Sequence, residues 1–431
     1  MTEIVFPDGF LWGAATSAHQ VEGHNVDNDW WAWEQAGRVQ TSSGAACEHY
    51  HRFRDDFDLA VSLGHTAHRF SIEWSRIEPR EGERNDEALA HYQDVVRALR
   101  ERRLEPIVTL HHFTTPTWMA QQGGWTNPKV VERFARYTEW VAKALGTEVR
   151  YWLTVNEPMV FVNMHYVQGV GPPGVVEFRS MLRVIEHLIR AHAASYQVLH
   201  RAGPPGQIQV SVAKNMPVFL PCRRWWPLDH LANWTTDRIF NTAFLTALTE
   251  GRWVVPGIGA WRIPEARGTL DYLGINYYGR QFIRCRPETG QWFGASCGLE
   301  HHYPHDVNEL TGMGWDVSPE GLTTTLLRGA KLGVPILVTE NGVWVEDDVR
   351  RWGFIARHLA ALERARQRGA RIIGYLYWSL MDNYEWSHGF GPRFGLVEVD
   401  YATQARRPRE SAHRFADVCR TNRLDARAIP E

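Results

Sequence analysis

Thr154-Val155-Asn156-Glu157-Pro158 ends an apolar β-like run on an amide and a carboxylate, and Val338-Thr339-Glu340-Asn341-Gly342 ends a second run on the same two groups in reverse order. One strand-end glutamate carries little meaning. Two, far apart in the chain and each closing a strand, predict a site with opposed carboxyl groups. Outward from these stretches, short β-branched runs alternate with longer amphipathic ones. Strands are predicted at residues 10–15, 66–72, 106–112, 150–156, 207–213, 271–277, 335–340 and 372–378. Between them, residues 52–63, 86–102, 128–145, 180–201, 228–251, 319–332 and 347–368 carry apolar side chains at helical spacing. Leu63-Gly64, Leu145-Gly146, Ala202-Gly203 and Leu332-Gly333 supply stops. Pro128 behind Asn127 and Pro319 behind Ser318 look like first-turn prolines following an N-cap.

Eight strands alternating with helices predict an α/β fold, a single-domain (β/α)8 TIM barrel over residues 1–431. A doubly wound open sheet would need a Gly-rich turn after its first strand, and Gly13-Ala14-Ala15 does not supply one. Function in a barrel gathers at the C-terminal strand ends, and the polar side chains collect there: His19-Gln20, Arg69, His111-His112, Asn156-Glu157, Asn276-Tyr277-Tyr278, Glu340-Asn341 and Trp378. Lys214-Asn215, after the fifth strand, has no role assigned. Two opposed carboxyls are the minimum equipment for cleaving a glycosidic bond, one protonating the leaving oxygen and the other attacking the sugar or activating water.

Composition narrows the classes. Forty-seven basic and 49 acidic residues nearly cancel, which disfavours nucleic acid as a partner. No apolar run approaches the roughly 20 residues that span a bilayer, so no membrane is expected. The N-terminus has no basic start and no long apolar stretch, so no signal peptide is expected. Five widely spaced cysteines without a CxxC pair fit reduced, structural thiols in a cytoplasmic protein. Twenty tryptophans offer flat platforms for the apolar faces of a ring-shaped ligand. His111 and His112 do not suit one metal ion, because adjacent strand residues face opposite ways. No metal is expected.

The chain also resembles a known family nearly end to end. Phe10-Leu11-Trp12-Gly13-Ala14-Ala15-Thr16 with Gln20-Val21-Glu22-Gly23, then Arg69-Phe70-Ser71-Ile72-Glu73-Trp74-Ser75-Arg76, are similar to its first two strand motifs. Thr109-Leu110-His111-His112-Phe113 and Leu273-Gly274-Ile275-Asn276-Tyr277-Tyr278 resemble strands three and six. The most specific stretch is Tyr377-Trp378-Ser379-Leu380-Met381-Asp382-Asn383-Tyr384-Glu385-Trp386, followed by Gly389-Phe390 and Arg393-Phe394-Gly395-Leu396-Val397. These motifs, in this order, resemble the retaining β-glycosidases of glycoside hydrolase family 1.

The resemblance implies Glu157 as general acid/base and Glu340 as nucleophile. It gives Arg69 and Asn276 as nucleophile-supporting residues, with Tyr278 orienting the Glu340 carboxylate. Gln20, His112, Asn156, Tyr278, Trp378, Glu385, Trp386 and Phe394 would form the substrate-binding set; Trp315 and Trp344, outside the family motifs, are further candidate aglycone-side aromatics. Glu385-Trp386 points to unphosphorylated glycones, since a carboxylate there would repel a phosphate dianion. Glu157 itself argues against the thioglucosidase branch, which carries glutamine at that position. Phe113, Ala18-His19 and a short 251–270 connection depart from the family pattern and concern the shape of the entrance. The expected activity is hydrolysis of terminal β-D-glucosyl residues, with galactosyl and fucosyl tolerated and transglycosylation as a side reaction. Its partners would be small-molecule β-glycosides or oligosaccharides, and no cofactor is expected. The alternative is a non-catalytic sugar-binding barrel, which predicts loss of at least one carboxylate. Oligomeric state is not encoded in any of these features.

Overall fold

A computed structural model describes residues 3–286, 291–296 and 309–429. The predicted strands pair in chain order into a closed barrel: β1 Leu11–Ala15, β2 Ala67–Ser71, β3 Glu105–His111, β4 Tyr151–Asn156, β5 Gln209–Asn215, β6 Leu273–Asn276, β7 Ile336–Asn341 and β8 Ile372–Trp378. All neighbours are parallel, and β8 closes on β1 through Gly374 opposite Leu11. Alternation sends Ala67, Ile107, Leu153, Ala213, Tyr272, Leu337 and Leu376 into a separate core inside the barrel. The opposite faces of the strands join the larger core beneath the helices. Gly13 on β1 leaves room for β2, because a Cβ there would lie 1.9 Å from the Ala67 carbonyl oxygen.

Each strand is followed by a helix that covers its outer face. These are α1 His49–Ser62, α2 Asp86–Glu101, α3 Val130–Leu145, α4 Phe178–Ala202, α5 Pro227–Asp237 with its continuation to Glu250, α6 Pro319–Ala330, α7 Asp348–Gln367 and α8 Glu410–Thr421. The start of α2 shows how sequence sets a boundary. Asn85 accepts from the Glu87 and Ala88 amides at 3.1 Å each, and Leu89, Tyr92, Val96 and Leu99 then bury one face. Ser318 caps α6 in the same way, with Pro319 at its first position.

Two expectations need correction. The helix expected over 228–251 is interrupted by a π-helical turn, Arg238–Ala243, which brings Phe240 to the pocket wall. α8 was not expected at all. Cys222 is disulfide-bonded, against the expectation of reduced cysteines; Cys47, Cys285 and Cys419 are free, and Cys297 lies outside the described residues. Among the described residues no helix is long and apolar enough to cross a membrane.

Candidate active site

The pairing register shifts at the C-terminal ends of β4, β6 and β7, between Leu153 and Asn156, Ile275 and Asn276, and Val338 and Asn341. Such irregularities re-aim side chains, and these three strand ends carry Glu157, Asn276 and Glu340. Glu157 leaves β4 in a left-handed conformation, φ 45° and ψ 58°, while Pro158 starts the next helix. A bulky residue there costs on the order of 1 kcal/mol or more. The Glu157 amide is held by the Ala213 carbonyl at 2.7 Å.

Glu157 Oε1 accepts from Asn276 Nδ2 at 2.9 Å and from Asn215 Nδ2 at 3.0 Å. Burial, then the Glu340 charge, push its pKa up to about 7, against the pull of the two amides and Arg69. Glu340 Oε1 accepts from Arg69 Nη1 at 2.5 Å, and its Oε2 accepts from the Tyr278 hydroxyl at 2.6 Å. Arg69 is completely buried. Its Nε donates to Thr109 Oγ1 at 3.0 Å and its Nη2 to Asn156 Oδ1 at 2.7 Å. That amide oxygen also accepts from Asn276 at 3.1 Å, so a continuous polar chain ties the two carboxylates together.

Both carboxylates open into one cavity of about 360 Å³. His112, Asn156, Tyr278, Trp378, Glu385, Trp386 and Phe394 line the same space. Asn156 donates to His112 Nε2 at 3.1 Å, and burial with the Arg69 charge holds that imidazole neutral, its pKa well below the usual range. The His112 ring stacks on Trp378 at 5.8 Å and on Trp386 at 6.3 Å. Burial and then the other two carboxylates push the Glu385 pKa up to about 8. Aromatic rings and carboxyl and amide groups line the same cavity, a pairing suited to a polyhydroxylated ring.

Gln20, Arg69 and Asn276 do not line the cavity. Gln20 lies fully buried behind Glu385, reaching its Oε2 at 3.3 Å and the Tyr384 carbonyl at 2.8 Å. Asn276, expected beside the nucleophile candidate, instead serves Glu157, and its Oδ1 accepts from Thr339 Oγ1 at 2.6 Å. Trp344 packs against the cluster that holds Trp378 and Phe394. Its ring also fills the space a Cβ at Gly312 would need, and Trp315 lines the cavity as expected. His111 packs on Trp125 and Phe161, at 4.9 and 5.2 Å. Among the described residues no group of three His, Cys, Asp or Glu is placed to hold a metal ion.

Sequence reading left Asn215 unassigned, although it touches Glu157. The signal available was its place two residues after a predicted strand end. Val160, Asn163, Met164 and Gln168, which also line the cavity, carry no pattern that marks them.

The profile of Glycosyl hydrolase family 1 matches residues 2–424. A solved β-glycosidase from Pyrococcus horikoshii superposes with a TM-score of 0.92 at 39% identity, over 99% of this chain and 97% of that one. The Thermotoga maritima β-glucosidase in complex with glucoimidazole superposes with a TM-score of 0.89 at 29% identity, over 97% and 99%. A bifunctional β-D-glucosidase/β-D-fucosidase from Bifidobacterium breve is 33% identical over 95% of this chain and 96% of its own length.

Proposed function

The chain belongs to glycosyl hydrolase family 1, whose reaction proceeds with retention, and we propose that it hydrolyses terminal β-D-glucosides by double displacement with Glu340 as nucleophile and Glu157 as acid/base. The carrying observation is the unequal treatment of two carboxyls in one cavity. Glu340 is paired with a buried guanidinium, while Glu157 has only amides and a pKa near 7. That asymmetry suits a nucleophile that stays ionised and an acid that cycles its proton.

In the first step a Glu340 oxygen forms a bond to the anomeric carbon as the glycosidic C–O bond breaks, and the departing oxygen takes the Glu157 proton. In the second, Glu157 as carboxylate removes a proton from water. That water attacks the anomeric carbon, and Glu340 leaves with its electron pair. Two inversions give retention. An alcohol in place of water gives transglycosylation. Asn156 and Glu385 are the proposed hydroxyl partners, and Trp378, Trp386 and Phe394 the stacking surfaces. Fucosides are proposed as secondary substrates, supported by the dual activity named for the Bifidobacterium relative, and galactosides by a Pyrococcus woesei relative named a β-galactosidase, 29% identical over 97% of this chain and 98% of its own length. Glu385 supports a neutral glycone, because in either protonation state it offers no cation to a phosphate. The three free cysteines support a reducing, cytoplasmic setting. The Cys222 disulfide opposes it, and cell fractionation decides.

The test is nitrophenol release from an aryl β-glucoside. A non-catalytic sugar-binding barrel would bind the glycoside and release nothing. Glu340→Ala is expected to abolish turnover, with azide restoring cleavage to an α-configured glycosyl azide. Glu157→Ala is expected to harm alkyl glucosides far more than dinitrophenyl ones, which need no proton. Equal losses on both would contradict the acid assignment.

A further inference from the structure

We propose that Lys214, which does not reach the substrate cavity, is a positioning residue whose charge, held behind Asn215, sets the ionisation of Glu157. The inference rests on the acid/base role given to Glu157.

Alternation on β5 sends Ala213 into the barrel core and Asn215 to the pocket, so Lys214 points outward beneath α5. It is completely buried. Its Nζ donates to the Asn215 carbonyl at 2.6 Å and lies 4.4 Å from the centre of the Phe240 ring. Phe240 and Asn215 both line the active-site cavity. The same asparagine therefore has its backbone oxygen on the ammonium and its side-chain amide on Glu157 Oε1.

Among the described residues no carboxylate pairs with Lys214. The acid beside it, Asp237, is occupied by Arg328 through both carboxylate oxygens at 2.6 Å and by Asn241 at 2.9 Å. A buried ammonium held by one carbonyl and a π face is expensive unless something else uses its charge. Three charged groups bear on it, namely Glu157 from β4, Asp237 from α5 and Arg328 from α6. Of these only Glu157 is without a countercharge in ion-pair contact. Glu157 in turn faces Glu340 and Arg69, and it bears on Glu385. Burial brings Lys214 down to about 7, the region where Glu157 titrates. Two such groups titrate as a coupled pair. The ammonium favours the Glu157 carboxylate formed when the leaving oxygen takes its proton. No proton passes between them.

The test uses the full chain with nitrophenyl β-glucoside, reading kcat/KM against pH and thermal melting at pH 6. Lys214→Met is expected to move the basic limb up by about half a unit, because Glu157 keeps its proton longer. KM is expected to be unchanged and Tm not lowered, since an unpaired buried charge has gone. Lys214→Gln keeps a donor to the Asn215 carbonyl without charge and is expected to move the limb equally, while Lys214→Arg restores it. If methionine at this position prevents folding, the Lys214→Gln protein reads the same limb. An active wild type whose basic limb is unchanged in both neutral variants overturns the role of Lys214 alone. A wild type without turnover overturns the acid/base reading beneath it.

Discussion

At the residue scale, the chemistry is decided by how three carboxyls in one cavity divide their charge. Glu340 has an arginine, Glu157 has two amides, and Glu385 has Gln20 at 3.3 Å and a side-chain hydrogen bond from Trp378, but no cation. With its pKa at about 8, Glu385 carries a proton in the empty site at neutral pH. Glutamine is then a close substitute below that pH and a poor one above it. Glu385→Gln is therefore expected to raise KM for aryl glucosides only a few-fold at pH 6, with the penalty growing about tenfold through pH 8 to 9. Michaelis constants at four pH values check this, and a penalty independent of pH would refute it. The two glutamates were legible because each follows an apolar run and meets an amide neighbour. Asn276 was legible as a site residue but not in its contacts. Its strand lies between β5 and β7, and one amide can turn its oxygen to Thr339 and its nitrogen to Glu157. No sequence pattern fixes that rotation.

At the element scale, the strands were readable because β-branched runs with turn signals recur at barrel spacing, and their polar ends fell at one rim. β5 lies two residues later than its predicted bounds, and that slip hid Asn215 as a member of the strand rather than of a loop. α8 was missed although Ala412, Phe415, Ala416 and Cys419 bury one face at helical spacing, because it follows the last strand beyond the motifs that were read. The π-helical turn after α5 was equally hidden, since one extra residue per turn leaves the composition unchanged. The contact of β7 with β8 just above the nucleophile leaves no room for a side chain. A Cβ on Gly342 would lie 1.9 Å from the Trp378 carbonyl oxygen. Backbone atoms cannot yield as a flexible side chain can. Gly342→Ala is expected to part the two strand ends, with a loss of about 2 kcal/mol in stability and at least a tenfold loss in kcat/KM as Trp378 and Glu340 shift together. Chemical denaturation and steady-state kinetics read both, and a wild-type-like variant would show that this contact is slack.

At the scale of the whole molecule, near-neutral charge and a closed barrel were both visible in composition and alternation, but the burial of titratable groups was not. It appears only when helices and strands are packed, and it governs how the fold responds to acid. Burial holds His65, His111, His165 and His358 neutral down to about 3, and His91 and His192 down to about 4. Their folded pKa values lie below the unfolded value near 6.5. The unfolded chain therefore binds more protons, and the stability these side chains contribute is complete above pH 6.5 and lost as the pH falls toward 3 to 4. Glu157 and Glu385 act in the opposite sense. Raised from 4.5 to about 7 and 8, they hold protons in the folded state that the unfolded chain has released, so their contribution fades as the pH rises from 4.5 to 8. Near pH 5.5 these histidines outweigh the two acids, so their joint contribution to stability rises with pH there. The melting temperature is thus expected to fall steeply below pH 6.5. Glu157→Gln removes one opposing group. Its melting temperature should match the wild type at pH 4.5 and rise above it progressively to pH 7, by up to about 3 kcal/mol of stability. Calorimetry of both proteins from pH 4.5 to 8 checks the two signs separately. A wild type that melts higher at pH 5 than at pH 6.5 would mean the buried histidines take up protons in the fold. A Glu157→Gln protein without gain at pH 7 would mean that Glu157 is already ionised there, too acidic to serve as the proton donor.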